Sequence, residues 1–114
     1  MLVKPADVDG LLCFDFSRDG RTDLAFTVAS GGTAGDIAWV ALVRTSSGWQ
    51  VAHSQSGYKI SLYRVGDDLV DSQPIYRKSD ANCCPTGGFD HRRWHWNGTR
   101  LVLARSYHTS SYRP

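Results

Sequence analysis

β-Branched and aromatic side chains alternate with polar ones along most of this chain, and clusters of Gly, Asp, Asn and Ser break the alternation at short intervals. Successive side chains of a strand point to opposite faces, so the pattern suits half-buried strands and gives a helix no continuous apolar stripe. The expected fold is therefore all-β. It is one domain over residues 1–114, of about seven or eight mostly antiparallel strands joined as sequential hairpins into a sandwich or a partly open barrel. The ends, 1–8 and 107–114, are expected to fray.

Leu11 to Phe16 and Leu24 to Ser30 read as strands around an Asp-rich loop, with Leu24, Phe26 and Val28 on one face and Ala25, Thr27 and Ala29 on the other. Ile37 to Arg44 is apolar on both faces, as in a central strand. Trp49 to Ser54, Tyr58 to Val65 and Leu69 to about Arg77 follow. Pro74, which has no N–H for a ladder, belongs at an edge or a bulge. Near the C-terminus, Asn97-Gly98 is a two-residue hairpin signal that pairs Trp96 with Thr99, His95 with Arg100 and Trp94 with Leu101. This register sends Trp94, Trp96, Leu101 and Leu103 into the core, and His91, Arg93, His95, Arg100 and Val102 to the opposite face.

With 41% hydrophobic residues in 114, the chain can bury roughly two-thirds of its unfolded surface around one core. No apolar run approaches the ~20 residues that a transmembrane helix needs. Met1-Leu2-Val3-Lys4-Pro5 lacks the basic segment and apolar run of a secretory signal, which points to a cytoplasmic chain or to a mature domain. The net charge of +2 does not suit a strongly basic nucleic-acid binder, although it is unevenly spread. Six Asp and three basic residues lie in 1–40, whereas five Arg, three His and no acid lie from His91 onward. His91, Arg93, His95 and Arg100 form a candidate cationic stripe for a phosphate, sulfate or carboxylate partner. Nucleic acid is not expected there, because Trp94 and Trp96 point inward and cannot stack on bases.

From Asp15 to Asp23 the chain reads Asp-Phe-Ser-Arg-Asp-Gly-Arg-Thr-Asp. Oxygen-bearing side chains at Asp15, Ser17, Asp19 and Asp23, with the carbonyl of Arg21, are a candidate ligand set for Ca²⁺, and Gly20 permits the turn between them. An EF-hand would need Glu where Phe26 stands. Strand, Asp-x-Ser-x-Asp-Gly-x-x-Asp, then apolar strand resembles instead the calcium-binding loops of FG-GAP and VCBS-type repeats of integrin-like propellers and bacterial surface proteins. The resemblance covers residues 14–28 and implies a structural calcium. The Phe-Gly and Gly-Ala-Pro elements of those repeats are missing, so a propeller is not expected.

Cys13, Cys83 and Cys84 leave three arrangements open. Cys13 bonded to either of the others would close a loop of about 70 residues, worth about 4 kcal/mol in the chain-entropy model. A bond between the adjacent pair and three free thiols are the alternatives. Asn82-Cys-Cys-Pro-Thr-Gly-Gly88 followed by Trp94-His-Trp-Asn-Gly98 also resembles uncharacterised secreted bacterial proteins with a Cys-Cys-Pro loop before a Trp/Asn-Gly hairpin. That resemblance implies a secreted or cell-surface protein with oxidised cysteines.

Catalytic signatures are sparse: the chain has no Glu, no Gly-x-Ser-x-Gly elbow, no His-Glu-x-x-His and no phosphate loop. The expected function is a non-catalytic extracytoplasmic domain with a structural calcium loop, meeting a protein or glycan surface. One alternative is a small thiol-dependent enzyme or hydrolase centred on Cys83-Cys84 with His91 as base. The other is a purely structural module of a larger protein.

Overall fold

The computed structural model describes residues 7–114. Eight strands follow one another: β1 (Val8–Phe14), β2 (Asp23–Ala29), β3 (Asp36–Thr45), β4 (Gly48–Ser56), β5 (Ser61–Val65), β6 (Asp68–Pro74), β7 (Phe89–Trp96) and β8 (Leu101–Thr109). They form two four-stranded sheets, ordered β1-β2-β3-β4 and β5-β6-β7-β8, in which every neighbouring pair is antiparallel. The architecture is a sandwich rather than a closed barrel. No helix among the described residues is long and apolar enough to cross a membrane.

The inner face of the first sheet is built around one large side chain. Trp39 is fully buried, and its cross-strand partner Thr27 and neighbours Ala25 and Ala41 are small enough to leave the indole its space. Trp94 of β7 meets it edge-on at 5.9 Å from the opposite sheet. Phe14, Phe16, Val43, Ile60, Leu69 and Leu101 complete the core. Each such side chain contributes roughly 1.5–3 kcal/mol by leaving water. The bulge between Ala41 and Leu42 adds Ala52 to β4, which lets both Ala52 and His53 reach the core side.

The last hairpin departs from the expected register. Trp96 pairs with Leu101, and residues 97–100 form a four-residue connection closed by Asn97 N–H donating to the Arg100 carbonyl at 3.0 Å. The cause is the Asn97 side chain, whose Oδ1 accepts from the N–H groups of Thr99 and Arg100 and thereby caps a wider turn. A two-residue slip leaves the faces unchanged, so Trp94, Trp96 and Leu101 still point inward. Leu103 shares their face but lies on an edge strand and is 50% exposed. β8 continues through Tyr107, His108 and Thr109, paired with His91, Asp90 and Phe89, and beyond it Tyr112 packs on Phe89 at 4.2 Å and donates to the Lys59 carbonyl at 3.1 Å, so residues 107–112, expected to fray, are tied to the fold. Of the other end, 1–8, β1 takes in Val8, and residues 1–6 lie outside the described residues.

Candidate functional site

The Asp-rich loop joins β1 to β2 at one end of the sandwich. Arg18 and Gly20 both take positive φ, 57° and 86°, which folds the chain back sharply. Three of its carboxylates converge: Asp15, Asp19 and Asp23 each offer an oxygen within 4.8 Å of the others. Asp23, the first residue of β2, is fully buried. Its Oδ2 accepts from the Ser17 N–H at 3.0 Å and from the Ser17 hydroxyl at 2.8 Å, and its Oδ1 from the Arg44 N–H at 3.1 Å. Asp15 accepts from the N–H groups of Gly20 at 2.7 Å and Asp19 at 3.2 Å. Desolvation pushes the Asp15 carboxyl up, but these donors and the Ser17 hydroxyl outweigh it and hold it below its ordinary value. Asp19 is exposed and accepts from the Arg21 N–H at 2.9 Å.

The loop is tied to the other sheet by Arg18. Its Nη2 donates to the Trp96 carbonyl at 2.8 Å and lies 3.4 Å from His95 Nε2. The other nitrogen of His95 contacts the Asp68 carboxylate at 2.6 Å, and Arg93 Nε donates to the same carboxylate at 2.7 Å. Burial raises the Asp68 pKa, but His95 and Arg93 outweigh it and bring it below the usual carboxylate value.

These contacts correct the expected cationic stripe. Arg93 and His95 do share a face, but both turn to Asp68 of β6, Arg93 as an ion pair at 2.7 Å and His95 by a hydrogen bond at 2.6 Å. His91 is fully buried, stacked on Tyr107 at 4.8 Å, with its two ring nitrogens 2.6 Å from the hydroxyls of Ser72 and Thr109. Arg100 lies in the turn before β8. Four residues that a strand pattern aligns are thus divided among a pair bonded to Asp68, a core histidine and an exposed turn.

At the opposite end, residues 75–88 leave β6 and return to β7. Cys83 and Cys84 form a disulfide with each other across a single peptide bond, both exposed, and Cys13 is a free, exposed cysteine on β1. This settles the three pairings in favour of the adjacent bond and leaves neither loop sulfur as a thiolate. The loop is held by Asp80, which accepts from the N–H groups of Arg77 at 2.7 Å and Thr86 at 2.8 Å. Tyr58 and Tyr76 bond Asn82 from the side, at 2.7 and 2.6 Å, and Lys59 Nζ donates to both Tyr76 Oη and the Asn82 carbonyl.

Two residues with defining roles, Asp68 and Asp71, did not stand out as site residues. Asp71 is 1% exposed, takes Arg92 at 3.0 Å and accepts from Trp94 Nε1 at 2.7 Å. The alternation of acids in Asp68-Leu-Val-Asp71 against Arg92-Arg93 was the available signal, and it needs the β6–β7 register to be read. Comparison with protein-family models, with curated proteins and with solved structures finds no match to this chain.

Proposed function

We propose that this chain is a non-catalytic extracytoplasmic binding module, of the kind bacterial surface proteins carry, whose Asp15–Asp23 loop takes Ca²⁺ as a structural ion. The observation that carries the reading is the convergence of Asp15, Asp19 and Asp23 within 4.8 Å. Three carboxylates that close repel one another, and a divalent cation offsets that repulsion while satisfying their remaining lone pairs. Asp15, Ser17, Asp19, Asp23 and the carbonyl of Arg21 would hold the ion, short of the usual six to eight oxygens by what water supplies. Export is supported by the exposed Cys83–Cys84 disulfide, a bond that persists in oxidising compartments. The same bond argues against a thiol enzyme, since its sulfurs are not nucleophiles while oxidised.

The test is a calorimetric Ca²⁺ titration of metal-stripped protein with parallel thermal melts, repeated on Asp19→Ala. Asp19 is the ligand to remove, because it is exposed and its replacement leaves the buried Asp23 network intact. Saturable heat that disappears in the variant, with a melting temperature that rises on adding Ca²⁺, supports the site by linkage. No heat and no shift at millimolar Ca²⁺ would leave the loop as a hydrogen-bonded turn.

A further inference from the structure

The inner face of the second sheet changes character along its length. Near the Asp-rich loop it carries Leu69, Trp94, Trp96 and Leu101. Toward the other end, the register puts Asp71, Arg92 and Ser106 in one cross-strand row and Gln73, Asp90 and His108 in the next, all on that same face. Polar groups between two sheets must find partners, water or a ligand. Here the sheets stand apart, and a cleft of about 640 Å³ opens between these rows and Gln55 and Ser56 of β4. Its size falls within the roughly 300–1,000 Å³ of small-molecule sites.

The side chains in the cleft are already positioned. Arg92 is held by the buried Asp71, with Nε at 3.2 Å and Nη2 at 3.0 Å. The Gln55 amide points inward, 2.9 Å from His53 Nε2 and against the Arg92 guanidinium. That His53 ring is fixed between Trp39 and Trp94, at 4.9 and 4.2 Å. Gln73 Oε1 accepts from the Tyr58 N–H at 3.0 Å, and His108 Nδ1 lies 2.9 Å from the Asp90 carboxylate. Pro74 and Ile75 add an apolar wall.

Such a set selects for one ligand chemistry. Asp71 cancels Arg92, so no free cation is left for a phosphate or a nucleotide. Asp90 is engaged by His108, so no cluster of acids is left for a metal or a polyamine. What these bonds leave for a ligand is the other end of each group, Gln73 Nε2 and His108 Nε2, with the Ser106 hydroxyl, beside an apolar wall. A pyranose matches both, because each hydroxyl donates and accepts while the C–H face of the ring packs on carbon. We propose that this cleft is a glycan site for one or two neutral hexose units. The proposal rests on the binding-module reading and supplies its ligand class.

The experiment is an amide chemical-shift titration of the full chain with cellobiose, maltose, lactose and N,N′-diacetylchitobiose, on wild type, Ser106→Trp and Gln73→Ala. Ser106 is exposed on an edge strand, so an indole there fills the cleft without entering the core. The expected result is saturable shifts at Gln55, Gln73 and Arg92 with at least one sugar, weakened about tenfold or more in both variants and unchanged in Asp19→Ala. No saturable shift with any of the four, or shifts that survive Ser106→Trp, overturns the assignment. Failure here with Ca²⁺ binding intact removes the glycan cleft alone, and loss of Ca²⁺ binding with sugar binding intact removes the calcium loop alone.

Discussion

The guanidinium of Arg18 donates to the backbone carbonyl of Trp96 at 2.8 Å, joining the Asp-rich loop of one sheet to the last residue of β7 in the other. Arg18 does so from a left-handed conformation, φ 57°, which an L-residue adopts at a cost of roughly 1–2 kcal/mol. The bond and the strain act in opposite directions, and substitution separates them. Arg18→Ala loses the bond and keeps the strain, whereas Arg18→Gly loses both. Chemical denaturation should find the Gly variant more stable than the Ala variant by about 0.5–1 kcal/mol, and an Ala variant equal to or better than Gly would refute the conformational argument.

Asp23 is a buried carboxylate whose partners are all donors: the Ser17 N–H, the Ser17 hydroxyl and the Arg44 N–H. Asp23→Ala leaves these groups without their acceptor, so a loss of about 2–3 kcal/mol is expected from urea midpoints. Asp19→Ala, at an exposed position on the same loop, should cost less than about 1 kcal/mol in the absence of calcium. Equal losses would show that the loop does not depend on its buried acid.

Burial lowers the pKa of His91 from its ordinary 6.5, since the charged ring finds no water between Tyr107 and the sheet. The unfolded chain therefore binds a proton at higher pH than the folded one. Stability from this group is fully present above 6.5, declines as pH falls from there to the lowered folded value, and then levels off. Thermal melts from above neutral to about pH 5 should follow that course, and His91→Gln should flatten it. A wild-type profile that rises on acidification through this window would contradict the burial of a neutral ring.

Thiol labelling gives a separate check on the Cys83–Cys84 bond. One equivalent of alkylating reagent, on Cys13, should enter the native protein before reduction and three after it, because Cys13 is free and exposed while the other two are bonded. The loop remains pinned by Asp80 and Thr86, so reduction should move the melting temperature by only about 1–2 °C. A large drop would mean that the bond, rather than the Asp80 contacts, holds the segment.

The strands were legible where alternation had a buried face to report. β2 and β3 lie where Leu24 to Ser30 and Ile37 to Arg44 predicted them, and Trp94, Trp96 and Leu101 of the final hairpin do point into the core, although Leu103 is half exposed and the turn is wider than expected. Asp15, Asp19 and Asp23, spaced four apart in the sequence, do lie within 4.8 Å of one another. Partnership across strands was not legible. Whether Arg93 and His95 face water or Asp68 depends on how β6 aligns with β7, and nothing local to either strand states that alignment. His91 looked like a solvent-facing member of the same stripe because its cover, Tyr107, comes from beyond the hairpin turn. The polar cleft went unseen for the same reason: Gln55 and Arg92 belong to different sheets, and only the packing of the sheets brings them together.

That packing follows from a plain topological fact, since each sheet takes its four strands in chain order and neither borrows from the other. The described strands therefore fall into two half-chains, residues 8–56 and 61–109, with no strand pairing between them. On a ribosome the first half can complete its backbone ladders before the second is made. It then has to hold Trp39 and Phe14 uncovered until the second half arrives. The interval between the two is when this chain is most exposed to association with its own kind, and its length is set by translation rather than by folding.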